Sequence, residues 1–149
     1  MPRSPLSAGS GARAQMHLVL DTNVVVSGFL NEAGIPGRIL QMASRGHLQA
    51  VYSTAIVIEY TEVLMRSKFS FERHKVLAVM DGLYRHGIQV HPPQISHPGV
   101  KDIDDLPFFA AAAYQRCPLV TGNLKHFPKS SSVEIIGPAD LMRRLTSLR

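Results

Sequence analysis

Short apolar runs alternate with segments of helical period along this chain, and that alternation restricts the fold more than any other feature. His17-Leu18-Val19-Leu20, Ala50-Val51-Tyr52, Ile88-Gln89-Val90, Pro118-Leu119-Val120-Thr121 and Val133-Glu134-Ile135-Ile136 have the length and content of buried strands. Between them, Ile39, Leu40, Met42 and Ala43 recur at helical spacing after Pro36, with Gly46 as the stop. Ser53 or Thr54 is placed to cap a helix carrying Ile56, Ile58, Val63, Leu64 and Met65. A further helix is expected over Ser70 to His86, and another over Phe108 to Tyr114, entered through Pro107 in its first turn. Pro138-Ala139-Asp140 opens the last. Strands separated by helices pair in parallel through right-handed crossovers, so the expected architecture is α/β with three layers, a mostly parallel central sheet between helices. Such sheets form their sites outside the carboxyl ends of the strands.

That rule gives the acidic residues their meaning. Asp21 follows the first strand, Asp104 and Asp105 open a helix, and Gly122-Asn123 follows the fourth strand, so all can face one end of the sheet. Glu59 lies about one and a half turns into the helix after the second strand and can point into the same cleft. Carboxylates gathered in a partly dry cleft repel one another and raise their own pKa values unless a hard cation neutralises them. Each acid also has a plainer role. Asp21 suits a helix cap, and one of Asp104 and Asp105 suits the positive end of a helix dipole. Glu62 reads as a solvated helix position. The histidines at 17, 47, 74, 86, 91, 97 and 126 show no metal-ligand spacing and read as surface or loop residues.

Composition narrows the class. A chain of 149 residues has room for one ordinary domain that needs no staple to fold. No apolar run approaches the roughly 20 residues that span a bilayer, so no membrane partner is expected. The single cysteine, Cys117, sits in an apolar stretch and cannot make an intramolecular disulfide, which suits a reducing, cytoplasmic setting. Lys and Arg exceed Asp and Glu by 16 to 11, a net charge of +5 that favours approach to phosphate backbones. Residues 1–15, rich in Pro, Ser, Gly and Ala, read as a disordered tail or an over-extended start, with the folded domain over residues 16–149.

Four motifs in order carry a resemblance. They are Leu18-Val19-Leu20-Asp21-Thr22-Asn23; Ser53 followed by Glu59-Tyr60 and Glu62-Val63-Leu64; Asp102 followed by Asp104-Asp105-Leu106-Pro107-Phe108-Phe109; and Leu119-Val120-Thr121-Gly122-Asn123 followed by His126-Phe127-Pro128. Together, over residues 16 to about 142, they resemble PIN domains, in particular the toxins of bacterial toxin–antitoxin pairs. The resemblance implies that Asp21, Glu59 and Asp105 are metal-binding, catalytic acids, with Asp104 as rival for the third role. Asn123 would hold a fourth position where many members carry Asp, which is a departure from the family pattern. Thr22, Asn23 and Thr121 would support the site, Thr22 and Asn23 by hydrogen bonds to the Asp21 carboxylate.

The implied activity is Mg²⁺- or Mn²⁺-dependent hydrolysis of phosphodiester bonds in single-stranded RNA, with no covalent nucleophile. A cognate antitoxin protein and a homodimer are the implied partners beside RNA. Lys125, His126 and Arg66 are candidates for holding phosphates. Two other classes compete. A haloacid dehalogenase usually needs Asp-x-Asp after the first strand, where this chain has Asp21-Thr22-Asn23, and a receiver domain needs its acidic pair there rather than at 104–105. A catalytically silent PIN-like module that binds RNA or protein is the remaining alternative.

Overall fold

The computed structural model describes residues 15–94, 97, 99–129 and 132–147. The first apolar run is strand β1 (His17–Leu20), which lies at the centre of a five-stranded sheet with β2 (Gln49–Tyr52), β3 (Ile88–Gln89), β4 (Leu119–Val120) and β5 (Ile135–Ile136). The strand order is β3-β2-β1-β4-β5 and every pairing is parallel, with His17 beside Gln49 and Val19 beside Leu119. Leu18, Val19, Leu20, Val51, Leu119 and Val120 are wholly buried, as strands covered on both faces must be.

The strands are joined by helices α1 (Thr22–Leu30), α2 (Ile35–Ser44), α3 (Thr54–Leu64), α4 (Arg73–His86) and α5 (Leu106–Gln115), and α6 (Pro138–Ser147) follows β5. Helix α2 packs against α1, α4 and α6, whereas α5 lies on β1 and β2. The chain steps outward from β1 to β3 and then crosses back through α5 to reach β4. A right-handed crossover running the opposite way places its helix on the opposite face, which yields the three layers.

Local chemistry explains several boundaries. Gly46 ends α2 with φ of +84°, a left-handed conformation that side chains rarely adopt. Gly82 lets α4 approach α2 so closely that a Cβ there would stand 2.4 Å from the Ser44 carbonyl oxygen. The expected helix over Ser70 to His86 begins only at Arg73, and β3 to β5 are shorter than their apolar runs. The apolar run Val24–Leu30 lies within α1, whose N-terminus Asp21 caps. Helix α3 buries Ile56, Tyr60, Val63 and Leu64 but leaves Ile58 and Met65 exposed, so its inner face runs through Tyr60 rather than through every apolar position. Residues 1–14 of the expected tail lie outside the described residues. Gln15 donates to the Gly46 carbonyl at 2.6 Å. Among the described residues no helix is long and apolar enough to cross a membrane.

Candidate metal centre

In this strand order the chain reverses direction between β1 and β4, and the crevice outside their carboxyl ends is where a ligand site forms in an open parallel sheet. Both strands deliver polar residues there. Asp21 ends β1 and Thr121 ends β4, two side chains a hundred positions apart in sequence that meet directly. The Thr121 hydroxyl donates to Asp21 Oδ2 at 2.7 Å. Asp21 Oδ1 accepts the Thr22 amide at 2.8 Å, so the carboxylate caps α1 and faces the crevice at once. Only 7% of Asp21 remains exposed. Burial pushes its pKa above the ordinary carboxylate value, against the lowering effect of these two hydrogen bonds and of His126.

Thr121 is the hub of this edge. It is wholly buried, and beyond donating to Asp21 its hydroxyl oxygen accepts the Asn123 amide at 3.0 Å and Asn23 Nδ2 at 3.4 Å. Asn23 was expected to hold Asp21 directly. Instead its side chain spans to the other strand end, with Oδ1 accepting the Gly122 amide at 3.1 Å, so it acts on Asp21 through Thr121. Thr22 does touch Asp21, but through its backbone. Its hydroxyl donates to Glu59 Oε2 at 3.3 Å and links the first acid to the second.

Helix α3 is pinned so that Glu59 stands at the same end of the sheet. Beside Glu59, the fully buried Tyr60 hydroxyl donates to the Leu20 carbonyl, the last peptide of β1. The Tyr60 pKa is driven well above its ordinary value, chiefly by burial, with Tyr84, Asp21 and Glu59 adding negative potential. Tyr60 also packs on Phe108 of α5 at a centroid distance of 6.0 Å. One aromatic contact thus joins the helix carrying Glu59 to the helix that Asp105 precedes.

The acidic pair at the start of α5 is divided by its geometry. Residues Ile103–Asp105 form a 3₁₀ turn capped by Asp102, whose Oδ1 accepts the Asp104 amide at 2.9 Å. Asp104 is exposed, whereas the Asp105 side chain retains 14% exposure and points inward. The pKa of Asp105 is raised to about 6, first by burial and next by the negative charge of Asp21. Its Oδ2 atom is buried and has no hydrogen-bond partner among the described residues.

His126, read from sequence as a surface residue or a phosphate contact, faces this atom. Its Nδ1 lies 3.6 Å from Asp105 Oδ2, and its Nε2 lies 2.9 Å from Asn123 Nδ2. An amide NH₂ only donates, so in the neutral ring that accepts it at Nε2 the ring hydrogen sits on Nδ1, toward Asp105. The signal for this was the spacing of three. Leu124–His126 is a 3₁₀ turn capped by Asn123, and residues three apart on such a turn eclipse one another. Asn123 is therefore exposed at the site's rim with its side chain engaged by His126. Glu62, Arg66 and Lys125 are exposed.

The donor set is oxygen from carboxylates, the chemistry of a hard divalent cation, and the orphaned Asp105 oxygen is an atom such an ion would engage. Among the described residues no three His, Cys, Asp or Glu side chains already form a metal cage. Small hard cations often retain several waters and take only one or two carboxylates, so an open arrangement suits them.

A three-layer fold around a parallel sheet, with the carboxylates of Asp21, Glu59 and Asp105 at its reversal point, defines the class as an α/β domain with an acidic candidate site. The family follows from comparison: a model of the PIN domain matches residues 17–125, most of the chain, and the protein belongs to the PIN-domain family. No curated protein matches it.

Proposed function

We propose that this protein is a divalent-metal-dependent endoribonuclease that hydrolyses single-stranded RNA, and that it serves as the toxin of a toxin–antitoxin pair. The observation that carries the reading is a buried, hydrogen-bonded Asp21 beside Asp105, whose inward oxygen has no hydrogen-bond partner among the described residues and whose pKa is lifted to about 6, in part by Asp21. Two carboxylates that burden each other electrostatically are relieved by a cation between them.

Asp21, Asp105 and Glu59 are the residues that would hold Mg²⁺ or Mn²⁺. When bound, the ion supplies a water of lowered pKa and neutralises charge on the phosphate. The chain's own contribution is positioning. Thr121 and the Thr22 amide fix the Asp21 carboxylate, the Thr22 hydroxyl steadies Glu59, and Tyr60 ties α3 to β1. His126 keeps a ring N–H near Asp105 and can turn outward to a phosphate oxygen, since it is half exposed. Asn123 orients that ring rather than meeting the acids. The net charge of +5 favours approach of an RNA backbone.

The test is cleavage of a single-stranded RNA with and without EDTA. Activity should vanish in EDTA and return with Mg²⁺ or Mn²⁺, and undiminished cleavage in EDTA would refute the mechanism. RNA retention without cleavage under any divalent ion would favour a silent binding module. The toxin role is tested separately: expression should arrest growth, and a small neighbouring gene product should relieve it. A homodimer is part of the proposal, checked by sedimentation.

A further inference from the structure

Beside the acidic crevice, on the same edge of the sheet, lies an open trough of about 500 Å³ that the carboxylates do not use. Its floor follows the ends of the neighbouring strands, since Ser53 comes directly after β2 and Val90 directly after β3. Ile103, Leu106 and Pro107, the residues that bracket Asp105, also line it. Strands stand about 4.8 Å apart, so a trough over β2 and β3 lies roughly 5–10 Å from Asp21 at the end of β1. That separation is on the scale of the sugar and phosphate of a nucleotide.

The lining has two characters. Ile103 and Pro107 offer apolar surface above the buried Val90, and Ile103 is 79% exposed although it sits within one turn of the inward-pointing Asp105. The rim carries an imidazole at His91, an amide at Gln94 and a hydroxyl at Thr54. Apolar walls with a few donors and acceptors at the edge suit a flat heteroaromatic group, whose faces want contact and whose edge wants hydrogen bonds. An aliphatic peptide would leave the rim groups unmatched, and a bare phosphate would find no Lys or Arg in the lining.

Resting on the ribonuclease reading, we propose that this trough is a nucleobase subsite: it seats the unpaired base of a nucleotide whose phosphate meets the cation that Asp21 and Asp105 would hold. The base lies against Ile103 and Pro107, with Gln94 placed to read its edge. A duplex keeps its bases stacked and paired, so the subsite would also confine the enzyme to single strands.

The experiment uses the full chain with methyl-labelled isoleucine and leucine, followed by NMR in Ca²⁺. Adenosine 5′-monophosphate, uridine 5′-monophosphate and a short single-stranded RNA should each shift the Ile103 and Leu106 methyls upfield through ring currents. Ribose 5-phosphate, which has the phosphate but no base, should not. Ile103→Ser, at an exposed position that does not threaten the fold, should weaken binding of the short RNA by about 5-fold, the scale of losing part of one aliphatic side chain's buried surface. It should raise KM for cleavage more than it lowers kcat. If RNA is cut while no methyl responds to any base and Ile103→Ser binds like wild type, the subsite is refuted and the nuclease reading stands. If the methyls respond to bases but no divalent ion supports cleavage, the subsite holds and the nuclease reading falls. Methyl shifts that depend on protein concentration alone would assign the trough to a second copy of the chain and overturn the proposal.

Discussion

Replacing Thr121 by valine isolates the hydrogen-bonded hub of the site at nearly constant shape. Thr121 is wholly buried, and its hydroxyl donates to Asp21 Oδ2 at 2.7 Å while accepting the Asn123 amide. Valine fills the same space, so no cavity forms, but Asp21 loses a donor that favours its charged form. A hydrogen bond to a charged group contributes about 1.5–3 kcal/mol, and the unsatisfied Asn123 amide, nearer to water, adds a little. A loss of about 2–3 kcal/mol should lower Tm by roughly 5–10 °C for a domain of this size. The sign depends on pH. The hydroxyl stabilises ionised Asp21, so its contribution is present above the raised Asp21 pKa and fades as pH falls through it. Calorimetric melts in EDTA at pH 7.5 and pH 4 should show a large gap between Thr121→Val and wild type at the higher pH and a smaller one at the lower. Thr121→Ser keeps the hydroxyl and should retain most cleavage activity, with only the smaller cost of a lost methyl. A Thr121→Val protein that melts within a degree of wild type at pH 7.5, or whose deficit does not change with pH, would refute this account of Asp21.

Asp105→Asn should abolish cleavage yet raise stability without metal. With a folded pKa of about 6 against an ordinary 3.8, the native acid holds its proton longer than the unfolded one, so the group's contribution declines as pH rises from about 4 to 6. The shift corresponds to at most about 3 kcal/mol, and solvent at the mouth of the site reduces this to about 1 kcal/mol, or 2–4 °C in Tm at pH 7.5. Melts of the two proteins that stay parallel across that range would contradict it. Asp104→Asn, at an exposed position, should leave cleavage within about threefold of wild type, and a loss matching that of Asp105→Asn would reassign the third acid. Asp21→Asn should lower kcat by 100-fold or more on the order expected for loss of a charged ligand to the ion, read in single-turnover cleavage with saturating Mn²⁺. RNA affinity measured in Ca²⁺ should fall steeply with salt, and a flat dependence would argue against contact with the phosphate backbone.

The alternation of apolar runs with helical segments was enough to establish the layered parallel fold, because periodicity is a local property that each stretch of chain displays by itself. The same is true of Asp21, Glu59 and the 104–105 pair as candidates. Their positions just after strands or at helix starts follow from order along the chain, and in a parallel sheet that order assigns them to one edge. Strand ends were less legible. Apolar content extends beyond Leu119–Val120 and Ile135–Ile136, whereas pairing stops where a neighbour's backbone no longer runs alongside. Which of two adjacent acids turns inward also lay beyond the sequence. Asp104 and Asp105 are chemically alike, and only the 3₁₀ turn capped by Asp102 sends one to solvent and the other toward Asp21. The contacts from Thr121 to Asp21, from Asn23 to Gly122 and from His126 to Asp105 belong to tertiary structure alone. The first two join residues that meet because β1 and β4 are neighbours in the sheet, and the third joins the turn before α5 to the turn after β4; such contacts depend on fractions of an ångström that no pattern along a single chain encodes.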